Sequence, residues 1–408
     1  LRDFPAGSAD SDRLSGSLSS LRMSEEVKTK VQPKLTSKTQ FGADEVTVTV
    51  SDPIIREELL TKYVIYTIKG TDHLHGGFES QRRYSDFLAV RRRLIERWPG
   101  CYVPPIPPKQ FMGNLSPIFI EGRRKMLEVF MRSTAARSYM YTSEAFQNFL
   151  RGPDQYEKSA AQARSPSMTD IANSYSSLFS EYRKPAPSDS EGKLDNYVGF
   201  FRGLLTKLID VRNQTKGTVG AFNSFSRNYW QMCDSLNEFE VNGASMYFET
   251  GYEPIFKSNH RETFINPFEV LQNVLKVEQL EVTAMIEAIL VKKVYEGRLR
   301  QLQTKLTSDQ KDLGKLTSGK KTFGSFLSSK PKEAFVTSLN ENIEGTKGEI
   351  QATELILNIM TVRLLEYEMP AFLNIRAKKY ERSLRSFGRV SVKEFDEVIK
   401  VLRDLAQS

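Results

Sequence analysis

Cysteine is nearly missing from this chain: Cys101 and Cys233 are the only two among 408 residues. Two thiols so far apart support no disulfide framework, and a reducing compartment suits them best. Histidine is also scarce, at His73, His75 and His260. His73 and His75 have no Cys or carboxylate cluster nearby at a recognised metal-ligand spacing. They read as turn residues beside Gly76-Gly77, and no metal is expected. No apolar run reaches the length of a transmembrane helix, so any membrane role would be peripheral. The N-terminus has no apolar signal core. It opens on Leu1 rather than Met and is read as processed or incomplete. No G-x-S-x-G, P-loop, H-E-x-x-H or kinase signature occurs, so neither an enzyme nor a cofactor is expected.

What the chain does hold is a core-sized apolar fraction of 39% and a modest cationic excess, 58 Lys+Arg against 50 Asp+Glu. The excess favours a polyanionic partner. The cations are not interleaved with aromatic stacking platforms, which ranks nucleic acid low.

Residues 1–42 are rich in Ser, Lys, Asp and Gly without apolar period, and read as a disordered arm. Val46, Val48 and Val50 alternate with Thr47 and Thr49, the pattern of a half-buried strand. Lys62–Lys69 and Phe78–Tyr84 are two further strand candidates. Ser85 reads as the cap of a helix carrying Phe87, Val90, Leu94 and Trp98, ended by Pro99-Gly100. Four prolines keep Val103–Pro108 extended. Helices are expected over Phe119–Arg132 and Glu144–Leu150. Three strands followed by helices make an α+β domain over 43–152. Residues 153–190 read as a linker whose Met168, Ile171, Tyr175, Leu178 and Phe179 share one helical face. Beyond it, 191–408 shows only helical signals. Asn266-Pro267-Phe268-Glu269 is a helix start for a segment reaching about Leu316. The pattern breaks over Gly319–Lys332. A third helix runs from Glu333 past Tyr380 with a kink expected at Pro370, and a shorter stretch ends near Leu402. Helices this long need partners along their length, so an elongated three-helix coiled-coil bundle that dimerises is expected.

The chemistry concentrates in Gln81-Arg82-Arg83-Tyr84-Ser85-Asp86-Phe87, in Val103-Pro104-Pro105-Ile106-Pro107-Pro108-Lys109, and in Arg123-Arg124. Arg83 offers a planar fork for phosphate oxygens. Tyr84 offers an apolar face to a sugar-like ring. The proline strip delivers Lys109 at small ordering cost, and Arg123 would close the far side. Arg82 reads as structural or as a surface charge.

These three elements together resemble the PX domain of sorting nexins. The resemblance implies that Arg83 grips the 3-phosphate of phosphatidylinositol 3-phosphate and that Tyr84 packs beneath the inositol ring. Lys109 would meet the 1-phosphate, and Arg123 the inositol hydroxyls. Gly122 and the Gly113-Asn114 loop depart from the family pattern. The helical half resembles, by position, length and helix count, the BAR domain that follows PX in one sorting-nexin subgroup. That subgroup implies a homodimer, or a heterodimer with a related PX–BAR protein, peripheral on the cytosolic face of endosomal membranes. It also implies that the 168–182 helix wedges into the bilayer through Met168, Ile171, Leu178 and Phe179. Lys315, Lys320, Lys321, Lys330 and Lys332 cluster at the expected tip between helices, where each cation near anionic lipid contributes roughly 1 kcal/mol. Arg376, Lys378, Lys379, Arg382 and Arg385 form a second basic run. The competing reading is a protein-interaction scaffold whose long helices bind proteins and whose lipid affinity is weak or absent.

Overall fold

The computed structural model describes residues 46–58, 61–110, 115–247, 265–318 and 332–407. The arm read over 1–42, the Gly113-Asn114 loop, and Lys320, Lys321 and Lys330 lie outside them.

The Val/Thr alternation sets one face of strand β1, Val46–Glu58, inward, with Val48 and Val50 buried. β1 runs eight residues past the alternating stretch. It does so through an irregularity between Ser51 and Ile54, where Asp52 takes a positive φ of 47° before Pro53. β2 (Thr61–Asp72) and β3 (Gly76–Arg83) complete an antiparallel sheet in the order β1-β2-β3. In it Ile65 faces Arg83 and Tyr66 faces Arg82.

Helix α1, Tyr84–Arg97, has Arg83 as its N-cap and so starts two residues earlier than the Ser85 cap predicts. The reason is Asp86 at its third position, whose carboxylate accepts the Arg83 N–H at 2.9 Å and closes the first turn. Gly100 ends the turn after α1 at φ 77°, and a β-carbon there would collide with Met360. α2 is Pro117–Ala135, capped by Ser116. Its Arg124 donates to Val50 O at 2.5 Å and its Arg132 to Val48 O at 3.3 Å, so two carbonyls of β1 are satisfied by a helix. The short α3 (Ser138–Tyr141) and α4 (Glu144–Arg151) follow. The core under the sheet is aromatic. Phe87 packs edge-on to Tyr66, Phe130 and Phe149 at centroid distances of 6.3, 6.5 and 5.0 Å.

The stretch read as a linker holds two helices, α5 (Tyr156–Gln162) and α6 (Met168–Leu178), then a 3₁₀ turn at Ser180–Tyr182. α5 has no apolar period long enough to announce it in the sequence. Three long helical stretches come next. They are α7 (Ser190–Tyr247), α8 (Pro267–Thr317) and α9 (Lys332–Arg363), the last continued by α10 (Met369–Gln407). At 51 residues, α8 is roughly 75 Å long. Asn266 caps it as the sequence indicates, accepting Phe268 N at 3.0 Å and Glu269 N at 3.4 Å. The irregularity expected at Pro370 takes the form of a five-residue π-helical turn, Leu364–Glu368, immediately before it. The wider turn accommodates a residue with no N–H and a ring that crowds the preceding carbonyl. α10 then continues without a break to Gln407, so the separate terminal stretch is one helix with what precedes it. No helix among the described residues is long and apolar enough to cross a membrane.

The chain divides into two compact units. One contains the sheet, α1–α6 and residues 283–371. The other contains 200–282 and 372–408. In the first, Leu316, Leu339 and Ile343 form a small buried cluster. In the second, Phe222 packs against Phe268 and Phe395, while Arg212 donates to Gln279 at 2.8 Å.

Candidate functional site

Neighbouring residues on a strand point to opposite faces. Along β3 this leaves Phe78 and Arg82 inward while Glu79, Gln81 and Arg83 point away. The two arginines therefore separate by strand geometry alone. Arg82 is 1% exposed and is consumed by backbone carbonyls. It donates to Phe149 O at 2.8 Å, Gly152 O at 2.7 Å and Gln81 O at 2.9 Å. Burial lowers its pKa, opposed by the nearby Asp86 and Asp154 carboxylates. It ties β3 to the end of α4 and is structural.

Arg83 ends the strand, and its side chain is one-third exposed. Its guanidinium lies 6.0 Å from the Tyr63 ring on the adjacent strand and pairs with Glu157 at 2.9 Å. Its Nε is buried with no hydrogen-bond partner among the described residues. Glu157 was not visible as a site residue in the sequence, because nothing in its local spacing points to Arg83.

Tyr84 opens α1, and its hydroxyl donates to Pro107 O at 2.5 Å. Arg91, two turns on, donates to Pro104 O at 2.9 Å, so α1 pins the proline strip at two carbonyls. Arg123 on α2 lies 4.2 Å from the Tyr84 ring centroid and 4.4 Å from that of Phe119. It donates to Pro108 O at 3.4 Å. Burial lowers the pKa of Arg123 and raises that of Tyr84, each partly offset by the other. The Nε of Arg123 is a second buried donor without a partner among the described residues. Lys109 follows Pro108 directly and is exposed.

The fold thus gathers Tyr84, Arg123 and the root of Lys109 around the Pro107-Pro108 carbonyls. Arg83 joins by chain adjacency to Tyr84, with its guanidinium directed to Glu157 and Tyr63. Two features differ from the sequence reading. One face of Tyr84 is covered by Arg123, and Arg123 is 7% exposed rather than an open surface cation. Asp86 is the residue the sequence underrated. Buried at 2% exposure, it holds Arg83 N with one oxygen and Glu157 N, at 2.8 Å, with the other. Its third-position spacing from the strand end was the available signal.

The amphipathic α6 is placed differently from the wedge expectation, with its apolar face against the protein. Ile171 and Phe179 are 1% and 0% exposed. Phe179 packs on Trp98 and Tyr139, and the Arg363 guanidinium lies 3.8 Å from its ring. Arg363 pairs with Glu368 at 2.8 Å, with both side chains almost fully buried. Met168 and Leu178 are half-buried. The apolar face is spent on the protein's own aromatic cluster, which leaves the Ser-rich face outward.

Among the tip lysines within the described residues, Lys315 is exposed and pairs with Asp312 at 3.1 Å, and Lys332 is the first residue of α9. In the second basic run, Arg376 pairs with Glu278 and Glu281, and Arg385 with Glu381. Much of that charge is neutralised within the helices.

Residues 72–152 match the family model described as PX domain. The chain is 20% identical over 382 residues to sorting nexin-4 of Eremothecium gossypii, covering 85% of this chain and 93% of that protein. The chain carries a PX domain and is similar to a sorting nexin over most of its length. It is 31% identical over 159 residues to the vacuolar protein sorting-associated protein vps5 of Schizosaccharomyces pombe. That match covers 38% of this chain, and the chain spans about a quarter (26%) of the fission-yeast protein. A solved structure titled the cryo-EM structure of the SNX-BAR Mvp1 tetramer is similar at 15% identity and TM-score 0.46, covering 86% of this chain and 99% of that one. The architecture is an α+β domain with a three-stranded antiparallel sheet, followed by long helices.

Proposed function

We propose that this chain is a sorting nexin of the PX–BAR type and a peripheral membrane adaptor, not an enzyme. In this reading its PX domain binds phosphatidylinositol 3-phosphate on the cytosolic face of endosomal membranes, and its BAR-like helices dimerise and sense or induce curvature. The PX domain covers 43–152, residues 153–190 connect, and 191–408 form the dimerising part.

One observation carries the reading. The strand-to-helix junction presents Arg83, with a buried and unpartnered Nε, beside the Tyr84–Arg123 stack and the Pro107-Pro108 strip that leads to Lys109. Arg83 takes the 3-phosphate as a charge-assisted fork. Tyr84 and Arg123 bound the ring, and Lys109 meets the 1-phosphate. The dimer supports avidity, since two sites on one body bind a membrane far more tightly than either alone. Lys315 and Lys332 add non-specific attraction to anionic lipid, at roughly 1 kcal/mol for each cation that reaches the surface.

Arg83→Ala is expected to lower sedimentation with vesicles containing phosphatidylinositol 3-phosphate by tenfold or more. That corresponds to about 1.5–3 kcal/mol for a hydrogen bond to a charged group. Sedimentation equal to that of the unaltered chain overturns the assignment.

A further inference from the structure

We infer that Glu157 is an internal counter-ion of the phosphate site: it occupies the Arg83 guanidinium until a phosphomonoester displaces it. The inference rests on the reading of Arg83 as a phosphate ligand and adds a residue outside the resembling motifs.

Glu157 is not a loosely placed surface acid. It stands in the first turn of α5, and three independent features fix that turn. Gln155, just before α5, adopts the left-handed conformation at φ 64° and ψ 41°, which non-glycine residues adopt only when the surroundings hold them there. Tyr156 is buried, edge-on to Phe149 at 5.3 Å, and its hydroxyl donates to Ala145 O at 2.9 Å. The buried Asp86 carboxylate accepts Glu157 N at 2.8 Å while holding Arg83 N at 2.9 Å. One carboxylate therefore sets the spacing between the two backbones whose side chains form the ion pair, and the Arg83–Glu157 contact closes at 2.9 Å. The pair uses Nη2 and leaves the Arg83 Nε without a partner. A carboxylate bonded there through a single oxygen leaves part of the fork's donor capacity unused.

Charge then decides which ligands gain at this position. A phosphodiester brings one negative charge and exchanges like for like with the Glu157 carboxylate. A phosphomonoester brings about −1.5 to −2 at neutral pH with three strong acceptor oxygens, so it outweighs the carboxylate at the Arg83 fork. Glu157 lowers the affinity of the site for every anion by one common factor. Weakly held monoanionic lipids fall below useful binding, while a phosphomonoester headgroup stays above it.

The test is a double-mutant cycle on the full chain, read by sedimentation with phosphatidylcholine vesicles containing phosphatidylinositol 3-phosphate. Both side chains are partly exposed, so Glu157→Gln is expected to tighten binding by about three- to tenfold. Glu157→Asp, one methylene short of Arg83, is expected to fall between Gln and the unaltered chain. Glu79→Gln removes the same unit of charge from the exposed face of β3, where Glu79 pairs with Lys69, and is expected to leave affinity within twofold. In an Arg83→Ala background, Glu157→Gln is expected to bring no gain. Binding by Glu157→Gln equal to or weaker than the unaltered chain overturns the inference. So does a gain that persists without Arg83, or one matched by Glu79→Gln. Arg83→Ala binding as the unaltered chain overturns the underlying site instead. Displacement from the vesicles by inorganic phosphate would assign the site to free phosphate and overturn the headgroup reading.

Discussion

Two adjacent arginines at the end of β3 have opposite fates because a strand turns successive side chains to opposite faces. Arg82 is absorbed by three backbone carbonyls, and Arg83 is left at the surface with its choice of anion. A third charged residue is as tightly committed. Asp72, at the end of β2, accepts the Leu74 and His75 amides, the Tyr141 hydroxyl and Arg151 at 2.6 Å. Burial pushes its pKa up, but the bonds from Tyr141, His75 and Arg151 outweigh this and hold it near 2. A carboxyl depressed in the folded state contributes its full stabilisation above its unfolded pKa of about 3.9 and loses it as pH falls towards 2. Asp72→Asn is therefore expected to destabilise the chain at neutral pH by about 2–3 kcal/mol. It should also flatten the fall in stability between pH 4 and pH 2. Denaturant titrations across that pH range check both. An acid limb as steep in the variant as in the unaltered chain would remove Asp72 as its source.

At the scale of elements, α6 shows how one pattern serves two outcomes. An apolar stripe opposite a Ser-rich face fits a bilayer surface and a protein surface equally well. The competing surface here is the pair of Trp98 and Tyr139 beside the buried Arg363. With Tyr175 and Phe179 fully buried in it, the stripe is already spent. Ile171→Ala is expected to cost about 2–4 kcal/mol and to lower hydrogen-exchange protection across α6 in solution, with no vesicles present. Unchanged protection would show that this packing does not hold the helix. The capping elements were more legible. Asn266-Pro267 starts α8 as read, because a cap is a local property of a few residues. The Ser85 cap gave way to Asp86 closing on Arg83, a contest between two polar residues one position apart. α5 went unread because seven residues are too few for a period, and with it went Glu157.

At the scale of the whole molecule, the unit comprising 200–282 and 372–408 carries apolar side chains with little cover of their own. Phe225, Met232, Phe239 and Val241 on α7 are each about half exposed, and Val392, Phe395, Ile399 and Leu402 on α10 are 40–62% exposed. Exposed apolar residues in that number along long helices fit the proposed dimer. The chain is expected to run as a dimer by light scattering, and Val392→Glu with Leu402→Glu to shift it towards the monomer. A monomeric mass for the unaltered chain at micromolar concentration would refute the dimer.

The three strands, the helix that follows the R-R-Y-S-D-F segment, the extended proline strip and the long helices are all legible in the chain alone. These follow from period, proline and capping, which act over a few residues. The sequence also singles out Arg83, Tyr84, Lys109 and Arg123, because strand end, strip and helix carry them at characteristic spacing. Long-range packing, by contrast, stacks Arg123 on Tyr84 and nearly buries it, turns α6 inward, and closes Glu157 on Arg83. Each of these is a contact between residues from 39 to nearly 200 positions apart, set by which surfaces bury together rather than by local preference. No periodicity within one segment encodes such a pairing, since its free energy belongs to both segments at once.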